Sequence, residues 1–161
     1  MKSKTNLAAA LTLAGATLTS SSAIAAGSVQ VSESVEINAK PAAVWALVGD
    51  YNGLYRWHPA VKESDRTDNI RLLTLGNGAQ IIETLTAMNN EKRIYNYTII
   101  ASPLPVSDYE SSIAVKTNGS NGSVVTWSSS FNAAGISHEE AAKVIRGVYQ
   151  AGLNKLIELY N

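Results

Sequence analysis

Towards its end the chain repeats apolar side chains every three or four positions. Ala141, Ile145, Val148, Gly152, Leu156 and Leu159 form one stripe, flanked by Tyr149, Leu153 and Tyr160. That period predicts one long amphipathic helix over residues 137–161, with Glu139, Glu140, Lys143, Arg146, Gln150, Asn154 and Glu158 on its wet face. Ser137, followed three residues later by Glu140, has the form of a capping box at its start. Upstream the period changes to two. Residues 28–37 alternate, with Val29, Val31, Val35 and Ile37 on one parity, and five or six further strand-like runs follow near 61–67, 70–75, 79–88, 92–101, 108–117 and 123–132. Their spacing is that of an antiparallel meander. Between the first run and the rest, Pro41 opens a short helix through Val48, and residues 53–58 add another helical turn before Pro59. No second helix matches the last one in length, so its apolar stripe can be buried only against the sheet.

Sorting the strands by parity shows what that helix would cover. Ile81, Glu83, Leu85 and Ala87 share a side, as do Tyr95, Tyr97 and Ile99, then Tyr109, Ser111, Ile113 and Val115, then Val125, Trp127, Ser129 and Phe131. The surface is apolar and aromatic with a few polar groups, the composition of a ligand pocket. Glu83 stands out, because a carboxylate on that parity is costly to bury without a partner. Arg71, Arg93 or a tyrosine hydroxyl could supply one, making Glu83 either half of a structural ion pair or a carboxylate that orients a ligand or acts catalytically on it. Gly152 sits in the apolar stripe of the helix, where glycine costs about 1 kcal/mol relative to alanine. It signals either the close approach of a strand or space left for a bound molecule. The glycines of residues 76–78 and 118–122 belong to tight hairpins rather than phosphate cradles, since strand-like sequence and not a helix follows them.

Composition narrows the function further. The 161-residue chain contains no cysteine. Lys2 and Lys4, the apolar run 7–18 and the small-x-small triplet 23–25 predict a secretory leader over residues 1–25 cleaved near Ala25, leaving one domain over 26–161. A run of about a dozen apolar residues is short of the roughly 20 that span a bilayer, so no stable membrane anchor is expected. Without Lys2 and Lys4, 11 basic residues face 13 acidic ones, a net charge of −2 with no basic stripe, which argues against nucleic acid. His58 and His138 are the only histidines and lie far apart in sequence, so no metal or other cofactor is expected. The nucleophile elbow of serine hydrolases is missing too.

Several motifs together resemble a known family. They are PAAVWALVGD over residues 41–50, WHPAV over 57–61, Gly78-Ala79 leading to Glu83-Thr84-Leu85, Tyr97, PLPVSDY over 103–109, Trp127 to Phe131, and the final helix. Over essentially the whole of residues 26–161 the sequence is similar to bacterial members of the START-like helix-grip superfamily, the polyketide cyclase/dehydrase-like or SRPBCC proteins. The resemblance implies an α+β fold: a seven-stranded antiparallel sheet curved around the C-terminal helix, two short helices after the first strand, and a cavity for apolar molecules. With the leader, it also implies a bacterial periplasmic location.

The residues expected to line such a cavity are Trp45, Trp57, Glu83, Tyr95, Tyr97, Leu104, Tyr109, Trp127, Tyr149 and Gly152, with Glu83 and His58 the candidates for acid/base chemistry. The two prolines around Leu104 make a stiff, partly apolar lip that could gate it. Three functions fit: a carrier or binding protein for a small apolar or lipid-like molecule, a cyclase, lyase or isomerase working through Glu83, or an accessory protein acting on a periplasmic partner. A monomer or weak dimer is expected. The thin scatter of polar candidates favours binding over catalysis.

Overall fold

In the computed structural model, which describes residues 28–160, the alternating runs become seven strands. They are β1 (Val29–Ile37), β2 (Val61–Thr67), β3 (Ile70–Leu75), β4 (Gln80–Asn89), β5 (Ile94–Ala101), β6 (Val106–Asn118) and β7 (Gly122–Ala133). All neighbours are antiparallel and the sheet order is β1-β7-β6-β5-β4-β3-β2, so β2 to β7 form a meander and β1 closes against β7. Helix α1 (Pro41–Val48) and a 3-10 helix (Tyr51–Arg56) separate β1 from β2, and α2 (His138–Tyr160) follows β7. The helix-grip architecture expected from the sequence is therefore present. The leader expected over residues 1–25 lies outside the described residues.

The capping box is formed as the sequence predicts. The Ser137 amide donates to Glu140 Oε2 at 3.0 Å, and the Glu140 amide donates to Ser137 Oγ at 3.2 Å. The buried stripe of α2 is Ala141, Ile145, Tyr149, Gly152, Leu153 and Leu156. It is rotated from the one drawn on the sequence: Val148 is half-buried and Leu159 is 48% exposed, because Tyr149 and Leu153 point to the sheet instead of flanking the stripe.

Parity holds along the strands except at one place. Ala87 was expected inside with Leu85 but is exposed. A register shift against β5 lies between Leu85 and Ala87, and the extra residue of such a bulge turns everything after it to the other face. The β4–β5 turn is longer than expected, with Arg93 at φ 50° and the Lys92 amide donating to Asn89 Oδ1 at 2.8 Å. At the start of β6 a second bulge, between Ser107 and Glu110, holds Asp108 at φ 49°. It turns Tyr109 inwards, where Tyr109 is buried.

Candidate functional site

Glu83 owes its burial to register. On β4 it lies directly opposite Arg71 of β3, and both side chains point inwards. Arg71 Nε donates to Glu83 Oε2 at 2.6 Å, the length of a charge-assisted bond. Arg71 Nη1 donates to the Tyr51 carbonyl, and its guanidinium lies 4.0 Å from the centroid of the Tyr51 ring. Of the three partners the sequence allowed Glu83, the structure selects Arg71. Burial pushes the Glu83 carboxyl above its usual range, while the charge and hydrogen bond of Arg71 pull it back. Arg71 itself is wholly enclosed.

Behind this pair, between α2 and the sheet, is a partly open, mainly apolar cavity of about 80 Å³. Its wall includes Glu83, Tyr97, Leu104, Tyr109, Trp127 and Tyr149 from the expected set, together with His58, Ile145 and Val148. Four expected residues lie elsewhere. Trp45 is half-buried on α1, donates to Asn90 Oδ1 at 3.1 Å and meets Tyr95, whose phenol burial pushes up to about 12. Trp57 packs edge-on to Trp127 with centroids 5.6 Å apart. Gly152 leaves no room for a ligand: a Cβ there would stand 2.7 Å from His58 Cδ2, 3.0 Å from Trp57 and 3.2 Å from Trp127. The groups that crowd it are the rings of His58 and Trp57 and, from strand β7, that of Trp127.

The reason for the approach of His58 is a hydrogen bond. His58 Nε2 lies 2.9 Å from the carbonyl of Val148, which accepts its proton, and the Ala60 amide donates to Nδ1 at 3.3 Å. Both nitrogens are thereby engaged by backbone and the neutral tautomer is fixed. Burial depresses the imidazole pKa further, with the Val148 bond opposing. His58 thus fastens α2 to the end of the 3-10 helix.

A second polar cluster crosses the cavity wall. Trp127 Nε1 donates to Tyr97 Oη at 3.0 Å and lies 3.2 Å from Ser111 Oγ, while Ser111 Oγ donates to the Ser128 carbonyl at 2.8 Å. The hydroxyls of Tyr109 and Tyr149 are hydrogen-bonded, and Tyr149 stacks on Trp127 with centroids 4.4 Å apart. Burial drives the Tyr97 and Tyr149 phenols well above their ordinary pKa, so they are neutral donors. Sequence reading missed Ser111 as a joint of this network. Its inward parity was the available signal.

Leu104 closes the cavity on the β5–β6 side. Its amide donates to Ser102 Oγ at 2.8 Å, and the Pro105 carbonyl accepts from Ala134 at 3.0 Å. Beyond it lies an outer hollow of about 420 Å³ that shares Ile99 and Tyr109 with the inner wall. A larger groove, about 470 Å³, crosses the opposite face of the sheet over Ser32, Ser112 and Ser128. It is open and lined largely by serines, and Ser111 of the polar cluster also borders it.

The profile of the family described as "Polyketide cyclase / dehydrase and lipid transport" matches residues 28–160, all of the described residues. The chain belongs to that family. The protein XoxI from Bacillus cereus is similar at 36% identity and a TM-score of 0.80, over 82% of this chain and 95% of that one. A START superfamily protein from Mycobacterium smegmatis (13% identity, TM-score 0.69, 82% and 96% covered) and the Zhui aromatase/cyclase from Streptomyces (14%, 0.68, 81% and 92%) share the fold. No curated protein shows significant similarity. Membership in this START-like family agrees with the helix-grip fold and its internal cavity.

Proposed function

We propose that this family member is a binding or carrier protein for a small apolar molecule held between α2 and the sheet, and that it works in the periplasm. The observation that carries the reading is the mainly aliphatic and aromatic wall, on which Glu83 is engaged by Arg71, His58 by the Val148 carbonyl and Tyr109 by Tyr149. Such a site holds a ligand without preparing chemistry. Arg71 holds Glu83 as the partner of an ion pair, and catalysis by His58 would require it to leave Val148.

The cavity of about 80 Å³ is well below the roughly 300–1,000 Å³ of pockets that hold drug-sized ligands. A compact ligand fits the closed form. A lipid would need Leu104 to move and join the inner cavity to the outer hollow. Native mass spectrometry of the protein purified from its own host tests the reading: a co-purifying small molecule is expected, and its loss on filling the cavity with Ile145→Trp locates it. A protein that carries nothing and takes up no apolar probe would overturn it. The leader supports export, and N-terminal sequencing of exported protein is expected to begin near Ala26.

A second reading, an accessory protein acting through its surface, draws support from the outward face of β3 to β5. Ile70 is 47% and Ile100 57% exposed there, beside half-buried Leu72 and Ile82. Replacing Ile70 and Ile100 with threonine is expected to leave probe binding intact, which separates this surface from the cavity.

A further inference from the structure

The two backbone bonds of His58 ask different things of its ring. Nε2 gives its proton to the Val148 carbonyl at 2.9 Å, a bond that a neutral or a charged imidazole can make. Nδ1 accepts from the Ala60 amide at 3.3 Å, which only the neutral imidazole can do. A proton added to His58 must go to Nδ1, where it meets the N–H of Ala60. Two donors then face each other without an acceptor.

The surroundings of the ring are equally unsuited to a charge. Trp57 of its own segment lies with its centroid 6.5 Å away, Trp127 of β7 stands edge-on at 5.9 Å, and Gly152 of α2 brings no side chain. The charge that acts on His58 is that of Arg71 on β3, and it is positive. The rest of the cavity wall contributes Glu83 of β4, engaged by Arg71, and the phenols of Tyr97, Tyr109 and Tyr149 from β5, β6 and α2, whose ionisation burial opposes.

His58 is itself part of that wall. It borders the cavity together with Ala60, Val61 and Val148, and its own carbonyl accepts from the Val61 amide at 3.0 Å. The Ala60 carbonyl in turn accepts from the Gly76 amide at 3.1 Å, next to Leu75 on the same wall. A change at Nδ1 therefore reaches the lining directly.

Resting on the binding function proposed above, we infer that His58 is a proton-operated release for the cavity: protonation opposes two donors at Ala60 and puts an uncompensated charge on an apolar wall, so water enters and a bound apolar molecule leaves. An ion buried without a partner is far less stable than the neutral ring, and hydration relieves it. Burial lowers the pKa of the ring from its ordinary 6.5, so the cavity holds its ligand at neutral pH and releases it only in acid. The coupling is reciprocal, and an apolar occupant makes His58 harder still to protonate.

Xenon is the probe, a single apolar atom suited to a space of about 80 Å³. Carbon- and nitrogen-labelled wild-type protein is titrated with dissolved xenon at stepped pH from about 7.5 downwards. The amide shifts of Val148 and Tyr149 report occupancy, and the ring resonances of His58 report its protonation. Affinity is expected to fall about tenfold, the effect of one unsatisfied donor, with a midpoint that coincides with the titration of His58. In His58→Gln, which keeps a donor for Val148 and does not titrate, affinity is expected not to change over the same range. Constant xenon affinity across the His58 titration, a midpoint belonging to another group, a fall that persists in His58→Gln, or unfolding before the ring is protonated would each overturn the proton release and leave the binding function standing. Should His58→Gln not fold, the two wild-type midpoints decide between these outcomes. Absence of xenon uptake even at about pH 7.5 would remove the cavity reading itself.

Discussion

Gly152 and His58 are two halves of one contact. The missing side chain lets the imidazole reach a helix carbonyl, so alanine at 152 puts a methyl within 2.7 Å of His58 Cδ2. Overpacking costs about 1–3 kcal/mol and outweighs the ~1 kcal/mol that alanine returns to a helix. Gly152→Ala is therefore expected to lower stability in urea denaturation, and a gain would mean that His58 swings aside freely. The pH dependence follows from the same contact. The folded pKa of His58 lies below the ordinary 6.5, so below that pH the unfolded chain binds more protons than the folded one. The stabilising contribution is complete above pH 6.5 and is lost as the pH falls towards the folded value. Against wild type, His58→Asn is expected to show a flatter fall in unfolding free energy below pH 6.5, measured by denaturation at stepped pH. At Glu83, replacement by glutamine leaves Arg71 buried and unopposed, for which about 3–5 kcal/mol is expected, read as a fall in thermal-melt midpoint. An unchanged midpoint would show that Arg71 has another anchor. The sequence made Glu83 legible because its carboxylate falls on an apolar parity, and it left Arg71 as one of three candidate partners until the register of β3 and β4 chose it. It did not reveal what meets Gly152, since spacing marks a missing side chain without naming the group that takes its place.

At the level of elements, α2 was the most legible piece and also the one whose orientation was misjudged. Its start is set by local chemistry, the reciprocal bonds of Ser137 and Glu140, and local chemistry can be read in sequence. Its rotation is set by the stacking of Tyr149 on Trp127 and by Glu33 of β1, whose carboxylate accepts from Arg146 at 2.9 Å and Gln150 at 3.2 Å. Glu33 shares the inward parity of Val31 and Val35 and breaks their apolar pattern, the signal that was available and unused. Ile145 is fully buried, and Ile145→Ala is expected to cost about 2–5 kcal/mol in chemical denaturation. A cost near zero would mean that the helix does not grip the sheet at that level. The bulges of β4 and β6 were invisible, because an extra residue in a strand leaves composition and mean spacing unchanged while reversing the faces beyond it.

For the molecule as a whole, alternation and turn chemistry yielded the sequence positions of the strands and the antiparallel meander, with their number left at six or seven until the family resemblance implied seven. Closure of the sheet around the helix came from the family resemblance, and the volume of the cavity came from neither. That volume is the small difference between two large quantities, the space between helix and sheet and the side chains that fill it, four of them tyrosines or tryptophans, and no pattern of single residues encodes a difference. The pairing of β1 with β7 and the packing of α2 on β1 have a further result in time. The earliest strand of the domain finds its partner only when the seventh has been made, and the concave face remains uncovered until the last two dozen residues follow. Contacts of such sequence separation are formed late and at high entropic cost. A ribosome releasing this chain residue by residue would hold it unfolded to the end of synthesis, and stalled chains ending before residue 138 are expected to be digested readily by protease while the released protein resists. A delay of this kind would suit the export proposed above.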